Sequence, residues 1–370
     1  MTQLMQASRQ WSNRPDDQRF TDLNELLAVT RAARDNSISG IAPSRRLIAK
    51  PASDNPAQGL LIEHEAGNAS FEATPTHWSF GQIAQLAGAP AGYLRKLPAP
   101  LAADAVNYGL RFLRDAEDVG YLRYAAPNED PEIRAATGPR YGRIWNSDIV
   151  GALVDKFGNG RDGDFKVPGE FGKDVAITKA NTTIYGSDRD IFVFLADERN
   201  RIEVANRRNG QPGSLARGFF VWNSEVGAQS IGAAFFLFDY VCMNRIVWGV
   251  KEFKEVRLRH TASAPDRWLE EVAPVLLEYS EASARPIEDT IKAAQEKKIE
   301  SDLDGFLKKR FSATMTTAIK AAHEREEGRP IETVWDATTA VTAYAKTIKH
   351  QDARVEVERK GGAILDLVAA

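Results

Sequence analysis

Cysteine is almost missing from this sequence of 370 residues: Cys242 is the single one. That excludes an intramolecular disulfide framework and a zinc cluster built on cysteines, and it suits a reducing compartment. No long hydrophobic run is present either. The most apolar stretch, "IGAAFFLF", is closed by Asp239 and falls far short of the ~20 residues a membrane helix needs. The opening "MTQLMQASRQWSNRPDDQRF" lacks the apolar core of a signal peptide, so a soluble cytoplasmic protein with no membrane partner is expected. Charge of one sign is scarce as well, with 48 basic against 51 acidic residues and a formal net charge of -3. Any contact with nucleic acid must therefore come from a local basic surface.

Catalytic signatures are equally thin. There is no Walker loop and no G-x-S-x-G, and His64, His77, His260, His323 and His350 are scattered without metal-ligand spacing. "GNGRDG" at 158–163 fits G-x-G-x-x-G by spacing. It follows a helical pattern and leads into a strand, the reverse of the context that holds a pyrophosphate, and is rejected as a dinucleotide site. No cofactor is expected.

What is present is a globular composition, 43% hydrophobic, with a pattern that changes along the chain. "TDLNELLAVTRAARD" places Leu23, Leu26, Leu27 and Val29 at helical spacing behind a cap at Thr21. Residues 44–73 read as short strands between turns, 80–115 as helical, and "VGYLRYA" with "EIRAAT" as a strand pair before the helix "SDIVGALVDKF". From 175 to 260 the pattern is that of antiparallel sheet, interrupted by an apolar helix over 227–243 capped by Asn223, Ser224 and Glu225. Residues 265–370 are helical, broken at Pro286 and Gly328-Arg329-Pro330. The class expected is α+β: a central antiparallel or mixed sheet with one long packed helix, flanked by N-terminal αβ elements and a helical C-terminal part. The organisation expected is a polar segment with one helix at 1–40, an α+β core at 41–262 and a helical region at 263–370 packing on that core.

The stretch "WSFGQIAQLAGAPAGYLRKLP", 78–98, has helix-turn-helix spacing: with Gly88 as turn glycine, Ala84 lies four residues before and Leu94 six after. Its second helix has about two turns at ~3.6 residues each. Pro90 and Gly92 stand where a DNA reader needs base-contacting side chains. A structural hairpin is expected, with only Arg95 and Lys96 able to reach phosphate.

The stronger electrostatic case is "RNRIEVANRRNGQPGSLAR", with Arg199, Arg201, Arg207, Arg208 and Arg217 against the single acid Glu203. Arg245, Lys254 and Arg257 follow on later strands, and Phe220 and Trp222 are interleaved. A positive sheet with aromatic platforms holds single-stranded nucleic acid without reading its sequence. The alternative is that the aromatics fill the core and the arginines form a solvated rim. A metal-dependent nuclease is a second alternative, resting on Glu252-x-Lys254 with Asp188, Asp190, Asp197 and Asp239; a non-catalytic protein that binds and inhibits a host factor is a third.

Four stretches carry a resemblance to a family: "WSNRPDDQRFTDLNELLA", "QLAGAPAGYLRKLP", "NSEVGAQSIGAAFFLFDYVCMNRIVWG" and "TVWDATTAVTAYAKTIKHQDARVEVERKGGAIL". Through them the sequence resembles the phage/plasmid-like protein family, a domain of unknown function found on mobile genetic elements, over nearly its whole length. The resemblance implies a role in DNA maintenance, recombination or evasion of host defence, and it assigns no catalytic residue. A strand meander followed by one long helix is also similar in layout to the single-strand-annealing recombinases of phages, an analogy of fold alone. The expected partner is therefore single-stranded DNA, bound without sequence choice by a protein that self-associates through a sheet edge or its C-terminal helices.

Overall fold

A computed structural model describes residues 14–368 apart from 58, 66–69, 114–117, 169–175, 206–211, 240–243, 247–255, 300–301 and 349–350. The described chain opens with β1 (Arg19–Phe20) and α1 (Leu23–Asp35), then β2 (Ser37–Pro43), β3 (Leu47–Pro51), β4 (Leu60–His64) and β5 (Phe71–Pro75). Helices α2 (His77–Leu86), α3 (Ala91–Leu94) and α4 (Ala99–Tyr108) precede the strands β6 (Asp118–Tyr124) and β7 (Glu132–Thr137). After α5 (Asn146–Phe157) come β8 (Phe165–Lys166), β9 (Ile184–Gly186), β10 (Ile191–Asp197), β11 (Ile202–Val204), β12 (Gly213–Asn223), β13 (Ile231–Asp239), β14 (Asn244–Ile246) and β15 (Val256–Leu258). The remainder is helical: α6 (Ala264–Glu271), α7 (Ala273–Glu281), α8 (Arg285–Glu296), α9 (Leu303–Lys308), α10 (Ala313–Glu327), α11 (Val334–Ala345) and α12 (Gln351–Gly362). The class is α+β, as the alternation of patterns predicts.

The strands form two sheets. A six-stranded sheet runs β2-β6-β7-β5-β4-β3. It is antiparallel apart from the β5–β7 pair, which sets Thr74 opposite Glu132. Its covered face packs Ile62, Ala73 and Ile133 against Ile83 and Ala84 of α2, Leu94 of α3 and Val106 of α4. The 78–98 stretch is accordingly a packed hairpin. Gly88 takes a φ of 69° at its turn, a backbone region open to glycine at little cost, and Arg95 turns back to donate to the His77 carbonyl at 2.8 Å.

The second sheet is antiparallel, with path β1-β9-β10-β12-β13-β14; β8 joins on β10, β11 on β12 and β15 on β13. Strand alternation sends Val193, Leu195, Phe219, Val221, Ile231 and Phe235 to one face. There they meet Leu23 and Leu26 of α1, Ile149, Leu153 and Phe157 of α5, Trp268 of α6 and Tyr279 of α7. Phe192, Phe194, Phe220, Trp222, Phe236 and Phe238 point to the other face and form an aromatic cluster of their own. At the far end of the sheet Ile202, Val204, Leu215 and Leu237 enter the core of the C-terminal helices, around Trp335 and Val341 of α11.

The apolar helix expected over 227–243 is a correction. Residues 231–239 are the strand β13, in register with β12 from Trp222↔Gly232 to Leu215↔Asp239. Both faces of β13 are buried, so its sequence shows no alternation, and a short run apolar at every position does not declare its period. Its small residues serve the sheet: a Cβ on Gly232 would lie 2.2 Å from the Trp222 ring. The likeness to the layout of annealing recombinases loses its long helix here. The cap of α1 is also shifted by one residue, since Asp22 accepts from the Glu25 N–H, while Thr21 bonds the Glu25 carboxylate.

Candidate functional site

The basic residues singled out in the sequence whose side chains are described do not share one surface. Arg199 and Arg201 stand in the turn between β10 and β11. Arg199 extends to 74% exposure beside Asp164, at 3.4 Å, and Arg201 is exposed and donates to the Glu198 carbonyl at 3.3 Å. Arg217, on β12, is different. It is 3% exposed, pairs with the buried Asp197 at 3.2 Å, and donates to the carbonyls of Ala282 at 2.5 Å and Tyr279 at 3.4 Å. A guanidinium so engaged ties the sheet to the C-terminal end of α7 and offers phosphate nothing.

Phe220 and Trp222 lie on the opposite face of β12 from Arg217, each 2% exposed. Their rings pack on each other at 5.3 Å, and Phe220 stacks on Phe194 at 5.2 Å. In this arrangement they support the sheet and present no platform to a base. Arg257 reaches the same face, 5.8 Å from the Trp222 ring. Arg245 stands opposite Phe238 in register, toward the other end of the sheet. Arg207, Arg208 and Lys254 lie outside the described residues, as do Glu252 and Cys242.

Of the acids considered as metal ligands, those whose side chains are described stand in different settings. Asp190 is buried against Arg14, Asp197 against Arg217, and Asp188 is exposed. Among the described residues no three His, Cys, Asp or Glu side chains converge as metal ligands.

What the structure does concentrate is polar chemistry at Asn223, the last residue of β12, and the β12–β13 connection that follows, residues 224–230. The elements around the six-stranded sheet grip it. Trp78 and Gln82 of α2 both donate to the Val226 carbonyl, at 3.0 and 2.8 Å, and Tyr141 donates to the Ser224 carbonyl at 2.7 Å. Asn223 donates to Ile144 O at 2.9 Å and Asn146 Oδ1 at 2.8 Å, and Arg143 donates to the Glu225 carbonyl. The Glu225 carboxylate accepts from the N–H of Asn146 at 2.6 Å. Burial pushes that carboxyl up to about 7 despite the Asn146 N–H and the cations Arg143, Arg134 and Arg34. His260, stacked on Tyr141, is held down at about 4, again chiefly by burial. Glu225 also lines a cavity of about 440 Å³ with α1, β6, β7 and the β9–β10 turn. Sequence reasoning takes Asn223, Ser224 and Glu225 for a helix cap; the available signal is a polar triplet set between two apolar strands.

A family model described as a domain of unknown function, DUF932, matches residues 173–362, just over half of the chain. The chain belongs to the DUF932 family. The match takes in β9 to β15 and the C-terminal helices up to α12, so the β12–β13 connection with Glu225 lies inside it. Comparison with curated proteins and with solved structures finds no match. No helix among the described residues is long and apolar enough to cross a membrane.

Proposed function

We propose that this DUF932 protein binds single-stranded nucleic acid without reading its sequence, holding phosphates at the β10–β11 turn. The observation that carries the reading is the exposure of Arg199 and Arg201 in that turn. The contact of Arg199 with Asp164 is a surface ion pair, worth only about 0–1 kcal/mol, so a phosphate displaces it at small cost. Arg207 and Arg208 follow in the sequence, and we extend the proposed phosphate contacts to them. Arg217, Phe220 and Trp222 have no part in it, because their burial gives them work inside the fold.

The likeness to the phage/plasmid-like family supports a setting in DNA replication or recombination on a mobile element, in the cytoplasm. Self-association fits that setting, because a weak site gains affinity by repetition along a strand. The test is a salt titration with unrelated single- and double-stranded oligonucleotides, with and without magnesium. Each phosphate contact contributes about 0.7 to the slope of log affinity against log salt for single strands. Arg199→Ala with Arg201→Ala should flatten the slope for every sequence alike. An unchanged slope, or no binding by the native chain at low salt, overturns the reading, and magnesium-dependent cleavage lost in Glu252→Gln points to the nuclease instead.

A further inference from the structure

The cavity beside Glu225 is unlike the basic turn in every respect, and its residues belong to none of the phosphate contacts proposed above. It is walled by α1, by Tyr124 and Arg134 of β6 and β7, and by the β9–β10 turn. Leu26, Val29 and Ala33, spaced by three and four along α1, give it an apolar floor on one helix face. Val29 remains 51% exposed there, a large apolar side chain with little protein cover.

Its lining carries more acids than cations. Three carboxylates line it, Asp17, Asp188 and Glu225, and none of them has an ion-pair partner among the described residues. The one lining cation, Arg134, is already engaged by Glu132 at 3.1 Å and by the Tyr124 ring at 3.4 Å. Glu225 gives one carboxylate oxygen to the Asn146 N–H, and its other oxygen has no hydrogen-bond partner among the described residues. Asp17 and Asp188 are exposed at the rim. A volume of about 440 Å³ lies within the ordinary range of small-molecule sites.

We propose that this cavity binds a linear aliphatic polyamine, with one ammonium on Glu225, the alkyl chain along the Leu26–Val29–Ala33 floor, and a second ammonium on the rim carboxylates Asp17 and Asp188. The chemistry is that of the lining: carboxylates at two depths that form no ion pair among the described residues, over an apolar surface that suits methylenes. Arg134 limits the site to cations that leave the Tyr124 wall undisturbed.

The protonation of Glu225 adds a signature. Its carboxyl sits near 7 because burial outweighs the pull of Asn146, Arg143, Arg134 and Arg34. Of these cations Arg34 is held by Asp148 and Arg134 by Glu132, while Arg143 donates to the Glu225 carbonyl and stays beside the site. An incoming ammonium restores the ionised form, so binding releases a proton when it begins from the neutral acid. Affinity then rises as pH rises from 6 to 8.

The experiment is isothermal titration calorimetry of spermidine into the full chain freed of nucleic acid, at low salt, at pH 6 and pH 8. The expected result is one site per chain, tighter at pH 8, with 1,4-butanediol inert and magnesium a poor competitor. Glu225→Gln should weaken binding about tenfold or more and abolish its pH dependence, as loss of a hydrogen-bonded, half-buried charge does. Asp188→Asn, at the rim, should weaken it about two- to fivefold. Val29→Lys, an exposed position, puts the chain's own ammonium over the floor and should block binding; it decides the matter if Glu225→Gln fails to fold. Absence of saturable binding, binding that none of the three variants alters, or equal displacement by magnesium overturns the proposal. Because the basic turn is untouched by these variants, their failure leaves the nucleic-acid reading standing, and the reverse holds for Arg199 and Arg201.

Discussion

The backbone N–H of Asn146, the first residue of α5, donates to the carboxylate of Glu225 at 2.6 Å, joining the helix that covers one face of the large sheet to the hairpin connection of the same sheet. It does not fully compensate the burial of that carboxylate, whose proton is held up to about 7 against an ordinary 4.5. A carboxyl raised on folding stabilises fully below its unfolded value, and that contribution is lost as pH rises through the folded one.

Glu225→Gln should therefore be more stable than the native chain at pH 8, by on the order of 1–3 kcal/mol, since each tenfold change in proton affinity corresponds to about 1.4 kcal/mol. The gap should close below pH 5. Glutamine keeps an oxygen for the Asn146 N–H. His260, held near 4, works in the opposite sense: its contribution is complete above the ordinary histidine value of 6.5 and is lost as pH falls through 4. It is common to both proteins and cancels in the difference. Urea midpoints at pH 5, 6.5 and 8 measure the gap, and parallel pH profiles would show that the buried carboxylate costs nothing.

Arg217→Ala should destabilise the fold by about 3–5 kcal/mol, since it leaves Asp197 buried without its cation. Arg199→Ala, at 74% exposure, should cost no more than about 0.5 kcal/mol. Chemical denaturation of the two variants checks both figures. Equal effects would mean that Arg217 is not committed to the interior.

Gly232→Ala places a methyl where the Trp222 ring stands, 2.2 Å away, and overpacking of this kind costs about 1–3 kcal/mol. Because the crowded atoms belong to the six-membered half of the indole, Trp222→Phe should relieve much of the strain. In a double-mutant cycle the pair should then be less destabilising than the sum of its singles. Strict additivity would place the strain elsewhere.

Leu94→Asp should unfold the region around the six-stranded sheet. Leu94 is 2% exposed in the core with Ile83 and Val106, and a carboxylate there has no partner, a penalty of several kcal/mol. Loss of the cooperative transition in circular dichroism is the expected result. A folded variant of native stability would contradict the packing of the hairpin.

Local pattern makes much of the fold legible. The leucines of α1, the paired apolar runs of β6 and β7, and the helical spacing of Ile149, Val150 and Leu153 in α5 each carry a period that one element alone satisfies. β13 is not legible in this way, because a strand covered on both faces has no polar side to reveal its period of two. The burial of Arg217 is invisible for another reason: its partners, Asp197 and the carbonyls of Tyr279 and Ala282, come from β10 and the end of α7, so in sequence it reads like its exposed neighbours. The same applies to the cavity, whose Asp17, Arg134, Asp188 and Glu225 come from four separated stretches.

β1 and β8 have a consequence for anyone who cuts this chain at the limits of its kinship. Both strands belong to the large sheet, yet they precede residue 173, as do α1 and α5. A fragment of 173–362 would keep Val193, Leu195, Phe219 and Val221 and lose Leu23, Leu26, Ile149, Leu153 and Phe157 that cover them. Its expression should yield aggregates, because each large apolar side chain so uncovered forfeits roughly 1.5–3 kcal/mol. The segment by which relatives are recognised is thus shorter than the segment that can stand alone, and a recombinant fragment intended to stay soluble has to begin before Arg19.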